Sequence, residues 1–250
     1  RTCMPREAVT FDFHNTIALC EEWFDLEVRR LVSAYLQWEM AQTGIGVSDI
    51  ALKEADTRSR TLRLEIMDDG NVESAEASVA IVLGQMGLPV DEVRIGSGLE
   101  LLMREALTDI RPVPGSIDSI QALHEQGVPL AIVSSAVYHP FLEWTLDDFG
   151  VRDAFAQVTT SASAGYYKGR PEIYWDAISR LEVDPKDAVH IGDSHRWDVV
   201  GAQRAGIRPV WYRTSPEAPM SDEALPHRTV DTMEGADVVL LEELRKGGGA

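Results

Sequence analysis

The sequence predicts an α/β protein: a parallel sheet covered by helices on both faces, with a four-helix bundle inserted after its first strand. Three observations lead there. From "RPVPGS" onward, short apolar runs alternate with helical patterns. From about residue 21 to 108 every strong periodicity is helical. Ahead of that block, residues 8–13 form a short apolar run, "AVTFDF".

Val9, Phe11 and Phe13 give this first segment its strand character, yet it carries Asp12 and breaks at His14-Asn15-Thr16. A polar side chain withdrawn from water needs partners, so these groups belong at the exposed end of the strand. In the helical block, Phe24, Val28, Leu31, Tyr35 and Trp38 step by four and three, which places them on one helical face. Leu52, Ala55, Ser59, Leu62 and Ile66 repeat the rhythm, as do Ala75, Val79, Val82 and Met86. Leu99, Leu102 and Ala106 predict a fourth helix after the Leu88-Pro89 break, weakened by Gly96 and Gly98. Turn formers and N-caps in "TGIGVSD", "DDGN" and "GLPVD" separate the four. Short connections between amphipathic helices make a bundle.

Further along, helix "SIDSIQALHEQG" precedes strand "PLAIVSS", and helix "PFLEWTLDDFG" precedes a weaker strand near "AFAQVTT". Helix "PEIYWDAISRL" leads to strand "AVHIG", helix "RWDVVGAQRAG" and strand "RPVWY". This alternation implies a parallel sheet with both faces covered. Residues 1–20 and 109–250 then form the sheet core, and 21–108 the insertion. In such sheets, sites form at the carboxyl edge of the strands, which is where Asp12 and His14 lie.

Composition narrows the function. With 41 acidic and 23 basic residues the chain carries a net charge of −18, a field that repels nucleic acid and anionic membrane surfaces. An anionic substrate would need local cations or a metal. Two cysteines, Cys3 and Cys20, can build neither a disulfide framework nor a zinc cage, and a reducing, cytoplasmic home fits them. No apolar run approaches the roughly 18 residues that span a bilayer, and "RTCMPREAV" lacks the apolar stretch of a secretory signal.

Three other strands bring polar residues to the same edge. "AIVSS" ends in Ser134 and Ser135; "AVHIGDSHRWD" supplies Asp193, with Asp198 five positions on; the "GYYKGRP" loop supplies Lys168 and Arg170. Asp12 and Asp193 are hard oxygen donors suited to Mg²⁺. Such an ion would relieve their repulsion and polarise a phosphoryl oxygen. Lys168 and the Ser134 hydroxyl would hold the remaining oxygens.

In this order, "FDFHNT", "IVSS", Lys168 in "YKGRP", and "GDSHRWD" followed by "GAQRAG" resemble the four motifs of the haloacid dehalogenase superfamily. The resemblance covers essentially the whole chain. It implies a Rossmann-like core, and the helical insertion is similar to the type-one cap of that superfamily. It further implies that Asp12 is the nucleophile and a ligand of Mg²⁺, with Asp193 a second ligand and the backbone carbonyl of His14 a third. Asp198 would support the metal site. Ser134 and Lys168 would hold the phosphate and Thr16 would orient Asp12, while Asn15, Ser135 and Arg170 are the candidate substrate contacts. The implied activity is a Mg²⁺-dependent phosphatase of small phosphorylated metabolites.

Two positions depart from the pattern. Phosphatases of the superfamily usually carry a second Asp where this chain has His14; imidazole can also donate and accept a proton near neutrality, or the residue contributes only its backbone. Gly169 stands where a proline usually follows the lysine. Other readings compete. Carbon–halogen cleavage is argued against by Asp193, and phosphonate cleavage through a lid lysine is left with Lys53 alone. A module that binds phosphate or a partner without turnover is the third. In the lid, Arg58, Arg60 and Arg63 form either a solvated face or a grip on a charged substrate tail, and Glu22 and Trp23 could line the entrance. His139 and His195 lie near the edge without a required role, and Cys20 is expected to be inert.

Overall fold

The computed structural model describes residues 7–247. Cys3, the first six residues of "RTCMPREAV" and residues 248–250 of the terminal glycine run lie outside the described residues. The chain begins with β1 (Ala8–Phe11) and β2 (Ala18–Leu19), then enters α1 (Glu21–Asp25) and a π-helical turn at Leu26–Arg30. Four longer helices follow: α2 (Leu31–Thr43), α3 (Asp49–Asp69), α4 (Ala75–Gln85) and α5 (Glu92–Ala106). The remainder alternates: β3 (Arg111–Pro112), α6 (Ser116–Glu125), β4 (Leu130–Ser134), α7 (His139–Asp148), β5 (Phe155–Thr160), α8 (Ser161–Ala164) and α9 (Glu172–Ser179). Then come β6 (Ala188–Gly192), a π-helical turn at His195–Val200, α10 (Gly201–Arg204), β7 (Arg208–Tyr212), β8 (Arg228–Val230) and α11 (Ala236–Gly247).

Six strands form one parallel sheet in the order β5-β4-β1-β6-β7-β8. β1 and β4 are buried along their whole length, because side chains alternate between two covered faces. Val9, Phe11, Leu130 and Ile132 join one core, whereas Ala8, Ala131 and Val133 join a second beneath α9 and α10. The chain winds outward from β1 in both directions, so the loops after β1, β4 and β6 converge at a topological switch point. Among the described residues no helix is long and apolar enough to cross a membrane.

The helical block leaves and rejoins the sheet through a two-residue antiparallel ladder, with Ala18 opposite Pro112 and Leu19 opposite Arg111. So short a ladder carries no periodicity, which is why the sequence did not suggest it. Serine and aspartate caps start the helices as expected: Ser48, Ser74 and Asp91 accept from the amides of Ala51, Ala77 and Arg94. Two details differ from the periodic reading. The π-helical turn breaks the step between Val28 and Leu31, and α2 buries six consecutive residues, Leu31 to Leu36, because α3, α4 and α5 all pack around it. Gly98 is also no flaw in α5: a Cβ there would lie 2.6 Å from the Trp38 ring, so the glycine is where α2 and α5 touch.

β8 and α11 were not anticipated. β8 is an exposed edge strand of three residues, whereas α11 buries Ala236, Leu240 and Leu244 at helical spacing, a signal present in the sequence.

Candidate active site

Three strand ends and one loop build the polar wall of a cavity of about 470 Å³. Asp12 follows β1, and its backbone amide still bonds to Ile191 O at 2.8 Å, which ties it to β6. Ser134 closes β4 and Asp193 follows β6. Lys168 enters from the loop before α9 and lies fully inside the protein, 2% exposed. Its ammonium bridges Asp12 Oδ1 and Asp198 Oδ1, the latter at 2.6 Å.

The network continues on either side of that lysine. Thr16 Oγ1 donates to Asp12 Oδ2 at 3.1 Å. Ser194 N donates to Asp198 Oδ2 at 2.8 Å, and His190 Nε2 lies 3.1 Å from Asp198 Oδ1. A carboxylate can only accept, so His190 carries its proton on Nε2, which leaves Nδ1 to accept from Thr10 Oγ1 at 2.8 Å. His190 is buried in the middle of an apolar strand and burial lowers its pKa, so the ring is neutral. Gly192 leaves room for this arrangement: a Cβ there would meet Asp198 Cγ at 2.3 Å.

Charge explains the titration of the site. Asp12, Asp193 and Asp198 each place an oxygen within 4.8 Å of the others, and Lys168 alone faces them as a cation in this wall. Burial raises Asp12 despite Lys168. Burial and the charges of Asp12 and Asp198 push Asp193 up to about 8, with Lys168 and the Asn15 amide opposing. Burial would also raise Asp198, but Lys168 and His190 outweigh it and hold its carboxyl well below the usual range. Lys168 is raised because its two carboxylates outweigh its own desolvation. Three carboxylates against one ammonium, all oxygen donors, are a set that a hard divalent cation fits.

The opposite wall is helical. Trp23, Phe24, Glu27, Val28, Arg63 and Met67 line it. His14 stands between the walls, stacked on Phe24 at 4.5 Å between ring centroids and edge-on to Trp23. Its Nε2 is buried without a hydrogen-bond partner, 3.7 Å from Glu21 Oε1. Burial lowers the His14 pKa against the pull of Asp12 and Glu21. Trp23 also stacks on Phe141 of the core at 4.9 Å, which joins the block to the sheet domain. Glu27 anchors the two walls more tightly. Its carboxylate, 4% exposed, accepts from the backbone amides of Val137 (3.1 Å) and Tyr138 (3.3 Å), just beyond Ser134 and Ser135. Burial pushes its carboxyl up to about 7 although Arg63 and those amides oppose the rise.

Of the residues singled out in the sequence, Asp12, His14, Asn15, Ser134, Ser135, Lys168, Asp193 and Asp198 line this one cavity. Thr16 is fully buried behind it, holding Asp12. Asn15 adopts a left-handed backbone, φ 61°, which asparagine tolerates. Ser134 Oγ accepts from Ala136 N, so its own proton is free to face the cavity. Arg170 is elsewhere: it pairs with Glu172 at 2.7 Å, donates to Asp69 O at the end of α3 and borders a different cavity, so it joins the helical block to the core. Arg58 pairs with Glu54, Arg60 and Lys53 are exposed, and Glu22 reaches Arg30. His139 lies against Thr160 and Glu143, and His195 accepts from Ser221 N. Cys20 is buried with its thiol pKa raised by that burial, which makes it unreactive.

The sequence reading missed Thr10, His190 and Glu27, and assigned Phe24 and Val28 to the bundle core. A histidine inside the apolar run "AVHIG" was a usable signal for a buried polar network; nothing local marks Glu27 among the many acids.

Comparisons with known proteins agree with this architecture. Over 126 residues the chain is 32% identical to a glyceraldehyde 3-phosphate phosphatase of Methanopyrus kandleri, a match covering 49% of this chain and 53% of that protein. The chain thus spans about half the length of such curated relatives. A HAD phosphatase from Thermococcus onnurineus superposes with a TM-score of 0.63 at 23% identity, over 94% of this chain and 97% of that one. A magnesium-bound HAD-type hydrolase of Bacillus subtilis does so with a TM-score of 0.60 at 20% identity, over 94% and 99%. These structural likenesses are likenesses of fold. The model of the haloacid dehalogenase-like hydrolase family matches residues 7–206, and on that match, with the four strand-end motifs in place, the chain belongs to the haloacid dehalogenase-like hydrolases.

Proposed function

We propose that the protein is a Mg²⁺-dependent phosphatase of small phosphorylated metabolites. The observation that carries the reading is the carboxylate triad around one buried lysine: Asp12, Asp193 and Asp198 converge while Lys168 bridges two of them. A phosphate dianion could not enter so negative a cavity without a cation. Asp12 and Asp193, with the His14 carbonyl, would hold the ion; Asp198, whose oxygens are engaged by Lys168, His190 and Ser194, would keep the lysine and the loop in place. When bound, Mg²⁺ would neutralise the carboxylates and polarise a phosphoryl oxygen. The relatives named as phosphatases support the same substrate class.

In this reading Asp12 attacks phosphorus in line. The P–O bond to the leaving group breaks, and His14 gives the departing oxygen a proton from Nε2. The same ring then takes a proton from a water that cleaves the aspartyl-phosphate and returns Asp12. Lys168 and Ser134 hold the transferring oxygens throughout, and Thr16 keeps Asp12 pointed at them. Residues 21–108 act as a cap that excludes bulk water.

Phosphate release from p-nitrophenyl phosphate, measured with Mg²⁺ and with EDTA, tests the reading. Turnover should require Mg²⁺ and vanish in Asp12→Asn, and Mg²⁺ should raise the melting temperature of the wild-type protein, since a ligand bound only by the folded state stabilises it. Equal turnover in EDTA, or full activity in Asp12→Asn, would reject it.

A further inference from the structure

Arg63 is a cation that the proposed chemistry does not use. It projects from α3 into the catalytic cavity, half-buried, and among the described residues it makes no ion pair or hydrogen bond. The other charges on that side have partners of their own, although the Glu27 charge also acts on Arg63 and Glu21 lines the cavity beside His14. Lys168 is held between Asp12 and Asp198. The Glu27 oxygens accept the Val137 and Tyr138 amides, and the Glu21 side chain is 74% exposed. The same wall carries the apolar side chains of Phe24, Val28 and Met67. A guanidinium without an ion-pair or hydrogen-bond partner, on the cavity wall opposite the reacting groups and in a chain of net charge −18, is a placement suited to ligand recognition.

We infer that Arg63 is a specificity-determining residue that selects phosphate monoesters carrying a carboxylate at the end remote from the phosphate. This rests on the phosphatase reading above. A guanidinium offers two parallel N–H donors to a carboxylate, and a cavity of about 470 Å³ admits a short acid of this kind with its phosphate at Asp12 and its carboxylate at the cap wall. An aldehyde or alcohol at that end would give the guanidinium no carboxylate partner beyond the Glu27 charge, so the preference should be set by binding and read mainly in KM.

Three-carbon substrates identical but for the remote group test this directly: 3-phosphoglycerate, glyceraldehyde 3-phosphate and glycerol 3-phosphate, with p-nitrophenyl phosphate in parallel. The wild type should favour the acid. Arg63→Met should cut kcat/KM for the acid by about 10- to 100-fold, the size of a lost charge-assisted hydrogen bond, and leave the aldehyde and alcohol nearly unchanged; Arg63→Lys should restore part of the preference. Equal use of the three substrates by the wild type would overturn the inference while leaving the phosphatase reading intact. So would a uniform loss in Arg63→Met that Glu27→Gln relieves, since Arg63 would then only balance the Glu27 charge. No turnover of p-nitrophenyl phosphate or any of the three would reject both together.

Discussion

The two walls of the candidate active-site cavity are made differently. On the sheet side the functional groups come from strand ends, the loop before α9 and the turn after β6, and bonds fix most of them: Thr16 to Asp12, Lys168 to Asp12 and Asp198, His190 and Ser194 to Asp198. On the helical side the groups come from α1, a π-helical turn and α3, with Trp23, Phe24, Val28 and Met67 apolar and Glu21, Glu27 and Arg63 as the charges set among them. The first wall is a charge problem solved by a buried lysine. The second is a shape, with its own charges placed sparingly. In the proposed reading, the first wall carries the chemistry and the second the choice of substrate.

Breaking the sheet-side wall should therefore have the largest effect. Lys168→Met keeps the bulk of the side chain but leaves the Asp12 and Asp198 carboxylates facing each other in a buried setting. Removing one partner of a buried ion pair costs about 3–5 kcal/mol, so the variant should melt well below the wild type and lose turnover. Mg²⁺ should recover part of the lost stability, which a melting curve with and without the ion will show. A variant as stable as the wild type without Mg²⁺ would mean that Lys168 does not compensate these charges.

Next in size comes the residue between the walls. His14→Ala should lower kcat by about 10²- to 10⁴-fold, the usual worth of a positioned acid or base. Because burial lowers the His14 pKa, the imidazolium is lost at lower pH than for a free histidine. If proton donation limits turnover, the wild-type rate should thus decline with rising pH already below the range in which a free histidine loses its proton. His14→Asp should change the position of that limb. A rate that is flat through this range and unchanged in His14→Ala would leave the residue only its backbone role.

How far the sequence could be read follows the same division. The parallel sheet, the helical insertion and the convergence of Asp12, Ser134, Lys168 and Asp193 were legible, because the alternation of strands and helices fixes which strand ends, and which following loop, reach the carboxyl edge. The helical wall was legible only in part, through Trp23 and Arg63, which do line the cavity. Phe24 and Val28 obey the rhythm of a bundle core yet line the cavity, since the π-helical turn at Leu26–Arg30 shifts the register in a way no periodicity reveals. Arg170 looked like a substrate contact from its place beside Lys168, but neighbours along a loop need not share a direction, and Glu172 and the end of α3 hold it elsewhere.

Glu27, the charge that ties the walls together, gives a subtler test. The folded chain keeps its proton up to about 7, whereas the unfolded chain loses it near the ordinary 4.5. Between those values the folded state holds the extra proton, so this group's contribution to stability is greatest below pH 4.5 and falls as pH rises through 7. At about 1.4 kcal/mol per pKa unit the decline is about 3–4 kcal/mol. Glu27→Gln should abolish it, so that the difference in melting temperature between variant and wild type changes in favour of the variant from pH 5 to pH 8. A difference that stays constant would show that Glu27 titrates normally.

The smallest effect separates two glycines on one helix. Gly96 and Gly98 both lower the helix propensity of α5, and replacing either with alanine should recover about 1 kcal/mol on that ground alone. Their surroundings differ. Nothing lies within 4 Å of a Cβ at position 96, whereas one at position 98 would overlap the Trp38 ring at 2.6 Å. Overpacking a tight contact costs about 1–3 kcal/mol, which cancels or exceeds the propensity gain. Gly96→Ala should raise the midpoint of urea unfolding and Gly98→Ala should leave it equal or lower, with the α2–α5 contact loosened. Equal stabilisation by both would mean that Trp38 moves aside freely and that this joint does not fix how the helical wall is built.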